Sequence, residues 1–279
     1  MISVIGAGFV GSAVIAYLSS RNQALFVYDK YKNVGSMAEA ATADFIFICV
    51  PTPMRLADGS CDVSIVRSVV TEIATKVKSD AVIIVKSTVP IGFMDELSEH
   101  FNTLRFVYFP EFLTEKNAVE DFALCNRMIL GGESKDTLAV SGLFLQMDAY
   151  RFHRMTVVCL PFKEAEAIKL VGNTFLMTKV LFANEIFALC TKLGINYKDV
   201  QAGIGLDTRV GTSHLSVPGH DGRFGAGGTC FPKDMENLRK AFKDNGVPER
   251  LLTAVALRNV EVRKEAGLMA GQPYLPESV

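Results

Sequence analysis

Ten residues near the C-terminal end, Gly225-Ala-Gly227-Gly228-Thr-Cys230-Phe-Pro-Lys233-Asp234, bring a thiol, an ammonium and a carboxylate together behind a run of glycines. Glycines at 225, 227 and 228 remove side chains from a loop, which suits backbone that must touch a ligand. Pro232 fits the first turn of a following helix. A cysteine at a helix N-terminus beside a lysine has its thiol pKa lowered, so Cys230 has the makings of a nucleophile near neutral pH. The same residues also fit a buried cysteine beside a Gly-rich turn, and the local sequence leaves both readings open.

Lys169 and Asn173 are four positions apart, so on a helix they share a face. That spacing fits a solvated polar stripe. It equally fits two donors converging on a site, because they open a stretch that is otherwise largely apolar. Two more runs each follow a strand-like segment: Lys86-Ser-Thr88-Val-Pro90, and Phe109-Pro-Glu111-Phe112-Leu113-Thr-Glu115. Ligands of parallel sheets bind beyond the carboxyl ends of the strands, where Thr88, Glu111 and Glu115 would lie. Ser, Thr and Glu in such places also serve as ordinary helix caps.

At the other end of the chain, Gly6-Ala-Gly8-Phe9-Val10-Gly11 follows the apolar run Ile2 to Ile5 and opens a helical pattern, and Asp29 follows the next apolar run. Each part has a mechanical reason: Gly6 makes the tight turn, Gly8 lets a pyrophosphate approach the backbone, and Gly11 lets helix and strand pack closely. The helix N-terminus offers N–H groups and a favourable dipole to the phosphates. Asp29 would accept from the adenosine ribose hydroxyls and repel a 2′-phosphate, which favours NAD, although Lys30 and Lys32 lie near enough for one to meet such a phosphate.

These groups need a scaffold, and the chain spells one out. Short β-branched runs alternate with helical stretches up to about residue 160: Ile2 to Ile5, Leu25 to Tyr28, Phe45 to Val50, Val82 to Val85, Arg105 to Phe109, Met128 to Leu130 and Thr156 to Leu160. This predicts an α/β fold with a Rossmann-like, doubly wound parallel sheet over residues 1–160. Beyond Pro161 a helix is expected over 162–193, stopped at Gly194, then helices near 197–204, 232–245 and 248–265. Residues 161–279 thus read as a small all-α domain. Residues 175–190 are apolar nearly all round, which predicts a helix sandwiched between domains or subunits.

Composition sets the outer limits. The 279 residues, at roughly 150 per domain, suggest about two domains. Forty-nine per cent hydrophobic and 21% charged residues exclude a disordered or fibrous chain. A formal charge of −1 gives no excess to draw the chain onto nucleic acid or an anionic membrane. The expectation is a soluble, cytoplasmic protein with no apolar run long enough to span a bilayer and no basic leader. Six cysteines without a C-x-x-C, and four histidines without ligand spacing, predict no metal and no disulfide framework; the cysteines other than Cys230 are expected to be buried small hydrophobes.

Taken in order, Gly6 to Gly11, Val50-Pro51-Thr52-Pro53, Lys86 to Pro90, Pro110 to Leu113 with Glu115, Lys169 to Asn173, Asp207-Thr-Arg209-Val-Gly211 and Gly225 to Asp234 resemble the UDP-glucose/GDP-mannose dehydrogenase family along nearly the whole chain. The resemblance implies a four-electron oxidation, with two NAD in succession, of the C6 alcohol of UDP-glucose or a related UDP- or GDP-sugar to the acid. Cys230 would form the thiohemiacetal and thioester, and Lys169 and Asn173 would stabilise the oxyanion. Thr88 and Glu115 would position water and proton-transfer groups near the nicotinamide, Glu111 would act in acid/base steps, and Asp234 would assist the thiol or the water. NAD would lie against Gly6, Gly8, Phe9, Val10, Gly11, Asp29, Val50, Pro51, Thr52 and Thr88. The sugar would meet Glu111, Phe112, Leu113, Lys169, Asn173, Gly225, Gly227 and Lys233. Arg209 would reach the site of a neighbouring subunit, in a homodimer built through the helix at 162–193.

The sequence departs from that pattern twice. Only residues 30–44 separate Asp29 from the strand at Phe45, where the family usually carries a further helix and strand, so a trimmed sheet edge is expected. The last expected helix, near 248–265, leaves 14 residues, 266–279, in which no counterpart of the family's C-terminal domain, which grips the nucleotide, is expected. Two other readings stand beside the dehydrogenase: a non-catalytic NAD- or nucleotide-sugar-binding subunit that works with another chain, and a β-hydroxyacid dehydrogenase of the 6-phosphogluconate type, which makes one hydride transfer and needs no cysteine.

Overall fold

Seven short apolar runs pair into one sheet in the order β2-β1-β3-β4-β5-β6-β7. In the computed structural model, which describes residues 1–114 and 117–269, the strands are β1 (Ile2–Ile5), β2 (Leu25–Tyr28), β3 (Phe45–Ile48), β4 (Val82–Val85), β5 (Arg105–Tyr108), β6 (Arg127–Gly132) and β7 (Thr156–Leu160). The first five pair in parallel, β6 joins β5 antiparallel through two residues, and β7 runs parallel to β6. Side chains alternate across the sheet, so Ile46, Ile48, Ile83 and Val85 enter one core while Phe47, Val82 and Ile84 enter the other. The first core packs on α3 (Ser64–Ile73) and α4 (Phe93–His100), the second on α1 (Phe9–Ser20) and α6 (Ser134–Met147). With both faces covered, near-continuous apolar strands are what the physics requires.

The ladder stops at Ile48 and Tyr108, short of the Val50 and Phe109 read from composition. Single bonds carry each strand one residue further: Cys49 N–H donates to Ile5 O, and Phe109 N–H to Val85 O. The chain then turns into loops. Strand β2 is the outer edge of the sheet; a turn closed by an Asp29–Val34 bridge and the single-turn α2 (Met37–Ala40) lead from it directly to β3. Two short helices, α5 (Ala118–Leu124) and α7 (Ala149–Phe152), complete this part.

The described residues divide into two compact units: Met1–Pro53 with Cys61–Lys169, and Met54–Ser60 with the described residues from Leu170 to Met269. The long α8 (Phe162–Leu193) contributes its first two turns to the first unit and the remainder to the second. Gly194, with φ +69°, ends it in the left-handed conformation expected there. The second unit adds α9 (Tyr197–Gly205), α10 (Cys230–Asp244) and α11 (Arg250–Met269). One of its cores joins Met177 and Leu181 to Met235, Val255 and Val262; another joins Ala183 and Cys190 to Tyr197 and Leu215.

Two expectations are corrected. Helix α8 is long and apolar enough by composition to cross a bilayer, with mean hydropathy 1.3, because scattered polar residues break any unbroken apolar run without lowering the average. Those polar residues are engaged inside the units: Lys169 with Glu111, Asn173 with Asp234, and Asn184 with Gly225. Among the cysteines, Cys49, Cys61 and Cys190 are buried, but Cys125 is half-buried and Cys159, on the outer strand β7, is exposed.

Candidate active site

The three glycines after β1 meet three different surroundings. Gly6 has φ +93°, and a Cβ there would lie 2.6 Å from Cys49 O; one on Gly11 would run into Gly6 O. Gly8 faces open space, with nothing within 4 Å of where its Cβ would be. The glycine with room above it is thus the one at the N-terminus of α1, next to Phe9 and Val10, where a diphosphate can approach N–H groups. Asp29, just past β2, is buried; its Oδ2 accepts from Ala7 N–H at 2.7 Å and its Oδ1 from Tyr31 and Lys32 N–H at 2.9 Å each. Burial pushes this carboxyl up, but the three N–H groups outweigh it and hold it below the usual carboxylate range. Lys32 Nζ donates to Ala7 O at 2.5 Å, which places an ammonium on the same loop.

The loops after β3 and β4 are tied to each other. Ser87 Oγ donates to Val50 O at 2.7 Å, and the Cys61 thiol lies 3.3 Å from Thr88 O and 3.5 Å from Thr52 O. These bonds tie the Val50–Thr52 segment to Ser87 and Thr88 beyond the carboxyl ends of β3 and β4. After β5, Glu111 Oε1 accepts from Lys169 Nζ at 2.7 Å and Oε2 from Leu113 N–H at 2.8 Å. Phe112 lies with its ring 5.6 Å from Lys169 Nζ and 4.5 Å from the guanidinium of Arg127. Behind this loop is a small cavity of about 30 Å³ lined by Lys86, Glu111, Phe122, Arg127 and Arg151 among others. Glu115 lies outside the described residues.

In the second unit α10 begins at Cys230, so the thiol belongs to the first helical residue and Pro232 to the first turn. Asp234 follows one turn later on the same face. Its side chain is buried, accepting from Asn173 Nδ2 and from Lys233 Nζ at 2.6 Å each. Arg209 lies in the loop after α9, its side chain 88% exposed and paired with Asp207 at 2.6 Å. Gly225 and Gly227 are constrained from within the unit: a Cβ on Gly225 would lie 2.8 Å from Asn259 Oδ1, and one on Gly227 would run into the Arg263 guanidinium. Among the described residues no group of three or more His, Cys, Asp or Glu is placed to hold a metal ion.

Four further buried polar residues hold the loops around these groups. Buried Lys86 donates to Phe109 O at 3.0 Å, and burial pushes its ammonium down to about 8. Glu166, one turn before Lys169, accepts from Gly92 N–H at 2.6 Å and Met94 N–H at 2.8 Å, holding the start of α4 just beyond Thr88. Burial raises its pKa to about 7 in spite of those bonds. Asn184 and Asn259 hold the loop before Cys230. For Asn184 and Asn259 the signal is one polar residue on an otherwise apolar helical face, which marks an internal partner without naming it.

The sequence and the fold have known relatives. Residues 29–147 match the NAD binding domain of the UDP-glucose/GDP-mannose dehydrogenase family, and residues 163–261 match that family's central domain. The UDP-glucose 6-dehydrogenase of Rhizobium meliloti is 38% identical over 230 residues, which is 78% of this chain and 51% of the relative. That of Pseudomonas aeruginosa is 34% identical over 240 residues, 82% of this chain and 51% of the relative. The chain thus spans about half the length of these curated relatives. A UDP-glucose dehydrogenase structure from Pyrobaculum islandicum superposes with a TM-score of 0.79 at 25% identity, over 93% of this chain and 68% of that one. A 3-hydroxyisobutyrate dehydrogenase from Mycobacterium tuberculosis shares the fold alone, with a TM-score of 0.73 at 18% identity over 95% of this chain and 94% of that one. Carrying two of its successive domains in order, the chain belongs to the UDP-glucose/GDP-mannose dehydrogenase family.

Proposed function

We propose that the chain oxidises the C6 alcohol of UDP-glucose, or a related UDP- or GDP-sugar, to the acid in two NAD-dependent hydride transfers through a Cys230 thioester. The observation that carries this reading is Cys230 at the first position of α10 with Asp234, Lys233 and Asn173 joined one turn below it. Residues 1–160 are assigned as the NAD domain and 161–279 as the helical domain that supplies the thiol.

The open face of Gly8, the N-terminus of α1 and the acceptor at Asp29 suit a dinucleotide. NAD supplies the hydride acceptor. Val50, Pro51, Thr52 and Thr88 wall its nicotinamide end, and Thr88 orients water, a role shared with Glu115. Glu111 takes or returns the hydroxyl proton, and the family resemblance assigns Phe112, Leu113, Gly225 and Gly227 to the sugar. Hydride loss from the C6 alcohol gives the aldehyde, whose carbon accepts the Cys230 sulfur. A second hydride loss from that adduct gives the thioester. Water then adds at the acyl carbon, and cleavage of the C–S bond returns the thiol and releases the acid. Lys169 and Asn173 donate to the oxygen that carries negative charge in these steps, and such preorganised donors typically contribute a factor of about 10² to 10³. Lys233 binds substrate and fixes Asp234, which serves the thiol or the attacking water.

A homodimer through α8 belongs to the same reading. Val171, Phe175, Phe182, Leu189 and Leu193 form an exposed apolar stripe along α8, and exposed Arg209 is suited to reach a neighbour's sugar.

The test is to incubate the protein with NAD and a panel of UDP- and GDP-sugars and count NADH per sugar consumed. Two NADH are expected, and Cys230→Ser should stop the reaction before acid release. One NADH from the unaltered protein overturns the proposal. Cys230→Ala with intact turnover points to single-hydride β-hydroxyacid chemistry, and NADH binding without turnover points to a binding subunit.

A further inference from the structure

Two buried asparagines hold the loop in front of Cys230, and the proposed chemistry gives neither a part. Asn259 of α11 grips Ala226 at two points: its Oδ1 accepts from Ala226 N–H at 2.8 Å, and its Nδ2 donates to Ala226 O at 3.1 Å. Asn184 of α8 accepts from Gly225 N–H at 2.9 Å through Oδ1 while its Nδ2 donates to Val180 O at 2.8 Å. They are 7% and 5% exposed.

Asparagine favours neither helix interiors nor burial, so two of them on the inner faces of two helices need a reason. The Asn259 amide copies the donor and acceptor of a strand neighbour, Asn184 supplies one acceptor to Gly225 N–H, and together they satisfy loop backbone groups that burial would otherwise leave costly. The glycines complete the arrangement. A Cβ at 225 would crowd Asn259 Oδ1, and one at 227 would strike Arg263, which pairs with Asp221 at 2.9 Å. Only Gly227, Gly228 and Thr229 lie between the gripped Ala226 and Cys230, so the grip is passed on to the first turn of α10.

We propose that Asn184 and Asn259 are positioning residues: by fixing Gly225 and Ala226 they set the N-terminus of α10 and the direction of the Cys230 thiol. This inference rests on the thioester reading. Misplacing a reacting group by about 1 Å costs on the order of 100-fold in rate, so a grip of this kind bears on turnover more than on binding.

The experiment compares Asn259→Asp, which keeps the acceptor and sets an oxygen against Ala226 O, with Asn184→Ala. Three readouts are taken: kcat and KM, the melting temperature, and the alkylation rates of Cys230 and exposed Cys159 by iodoacetamide, resolved by peptide mass spectrometry. Expected are a kcat at least tenfold lower with sugar KM within threefold, and Cys230 alkylation at least fivefold slower with Cys159 unchanged. Cys230 alkylation at the unaltered rate in both variants overturns the proposal. So do losses at Cys230 and Cys159 that move together with the melting temperature. Should Asn259→Asp not fold, Asn259→Ser and Asn184→Ala decide by the same criteria. The alkylation arm stands even if the unaltered protein makes no NADH, so failure of the dehydrogenase reading is told apart from failure of this one.

Discussion

Lys169 Nζ and Glu111 Oε1 lie 2.7 Å apart with side chains only 2% and 6% exposed, joining the first turns of α8 to the loop after β5. Burial alone would raise the Glu111 carboxyl. The charge and hydrogen bond of Lys169, the Leu113 N–H and the nearby Lys86 outweigh it and leave the carboxyl below its usual range. The two candidate groups are therefore held by each other as well as by the fold, and neither can be removed without exposing the other to an apolar interior.

Removing one member leaves a buried charge without its partner, which costs about 3–5 kcal/mol, whereas replacing both by apolar groups is often neutral. We expect Lys169→Met to lower the urea midpoint strongly and Lys169→Met/Glu111→Leu to recover most of it. Because the folded pKa of Glu111 lies below the unfolded one, its contribution is present above the unfolded value and is lost as pH falls through the folded one. Unfolding curves between pH 7 and pH 3 check this; a double variant no more stable than the single one would contradict it.

Glu166 has the opposite sign. Burial raises its pKa from 4.5 to about 7, so its favourable contribution is complete below the unfolded value and disappears as pH rises through about 7. Glu166→Gln resembles the protonated form. We expect the unaltered protein to lose up to about 3 kcal/mol relative to this variant between pH 4 and pH 9, read from urea unfolding curves. A stability difference that is flat with pH would refute the assignment.

Local chemistry carried far in the sequence. Apolar runs such as Val82 to Val85 become strands because a covered sheet needs them, and Gly194 ends α8 because a left-handed residue is cheapest as glycine. Gly6, Gly8 and Gly11 were legible for the same reason, since their roles are set by immediate neighbours. Partnerships across the chain were not legible from composition or spacing. Glu111 and Lys169 are 58 positions apart, and Asn173 and Asp234 are 61 apart; no periodicity links them, and only the family resemblance grouped them. Asn259 was invisible as a partner of Ala226, because a lone asparagine on a helix announces a need for hydrogen bonds without saying where they go.

The glycine loop separates folding from cofactor binding. Gly8 has φ −73° and free space where a Cβ would project, so Gly8→Ala should keep its melting temperature within about 2 °C. The added methyl occupies the approach of the diphosphate, and NADH affinity should fall at least tenfold, about 1.4 kcal/mol. Gly11→Ala would drive a methyl into Gly6 O and should lower both stability and affinity. NADH fluorescence titration with thermal melts distinguishes the two; equal melting losses in both variants would refute the division of roles.

The stripe on α8 makes the proposed dimer testable without any assay of turnover. Phe175, Phe182 and Leu189 recur every seven residues, so they line one helical face, and they are 67%, 57% and 53% exposed in the single chain. Exposed large apolar residues in a row along one helix mark an association surface. Phe182→Glu places a charge in the middle of that stripe, where pairing with a second copy would strand it in an apolar contact. Because Phe182 faces solvent in the single chain, the substitution should leave the melting temperature of an isolated subunit nearly unchanged. Sedimentation velocity is expected to give a dimer for the unaltered chain and a monomer for Phe182→Glu, with far-UV circular dichroism the same for both. A monomeric unaltered chain, or a variant that still sediments as a dimer, would remove α8 as the interface.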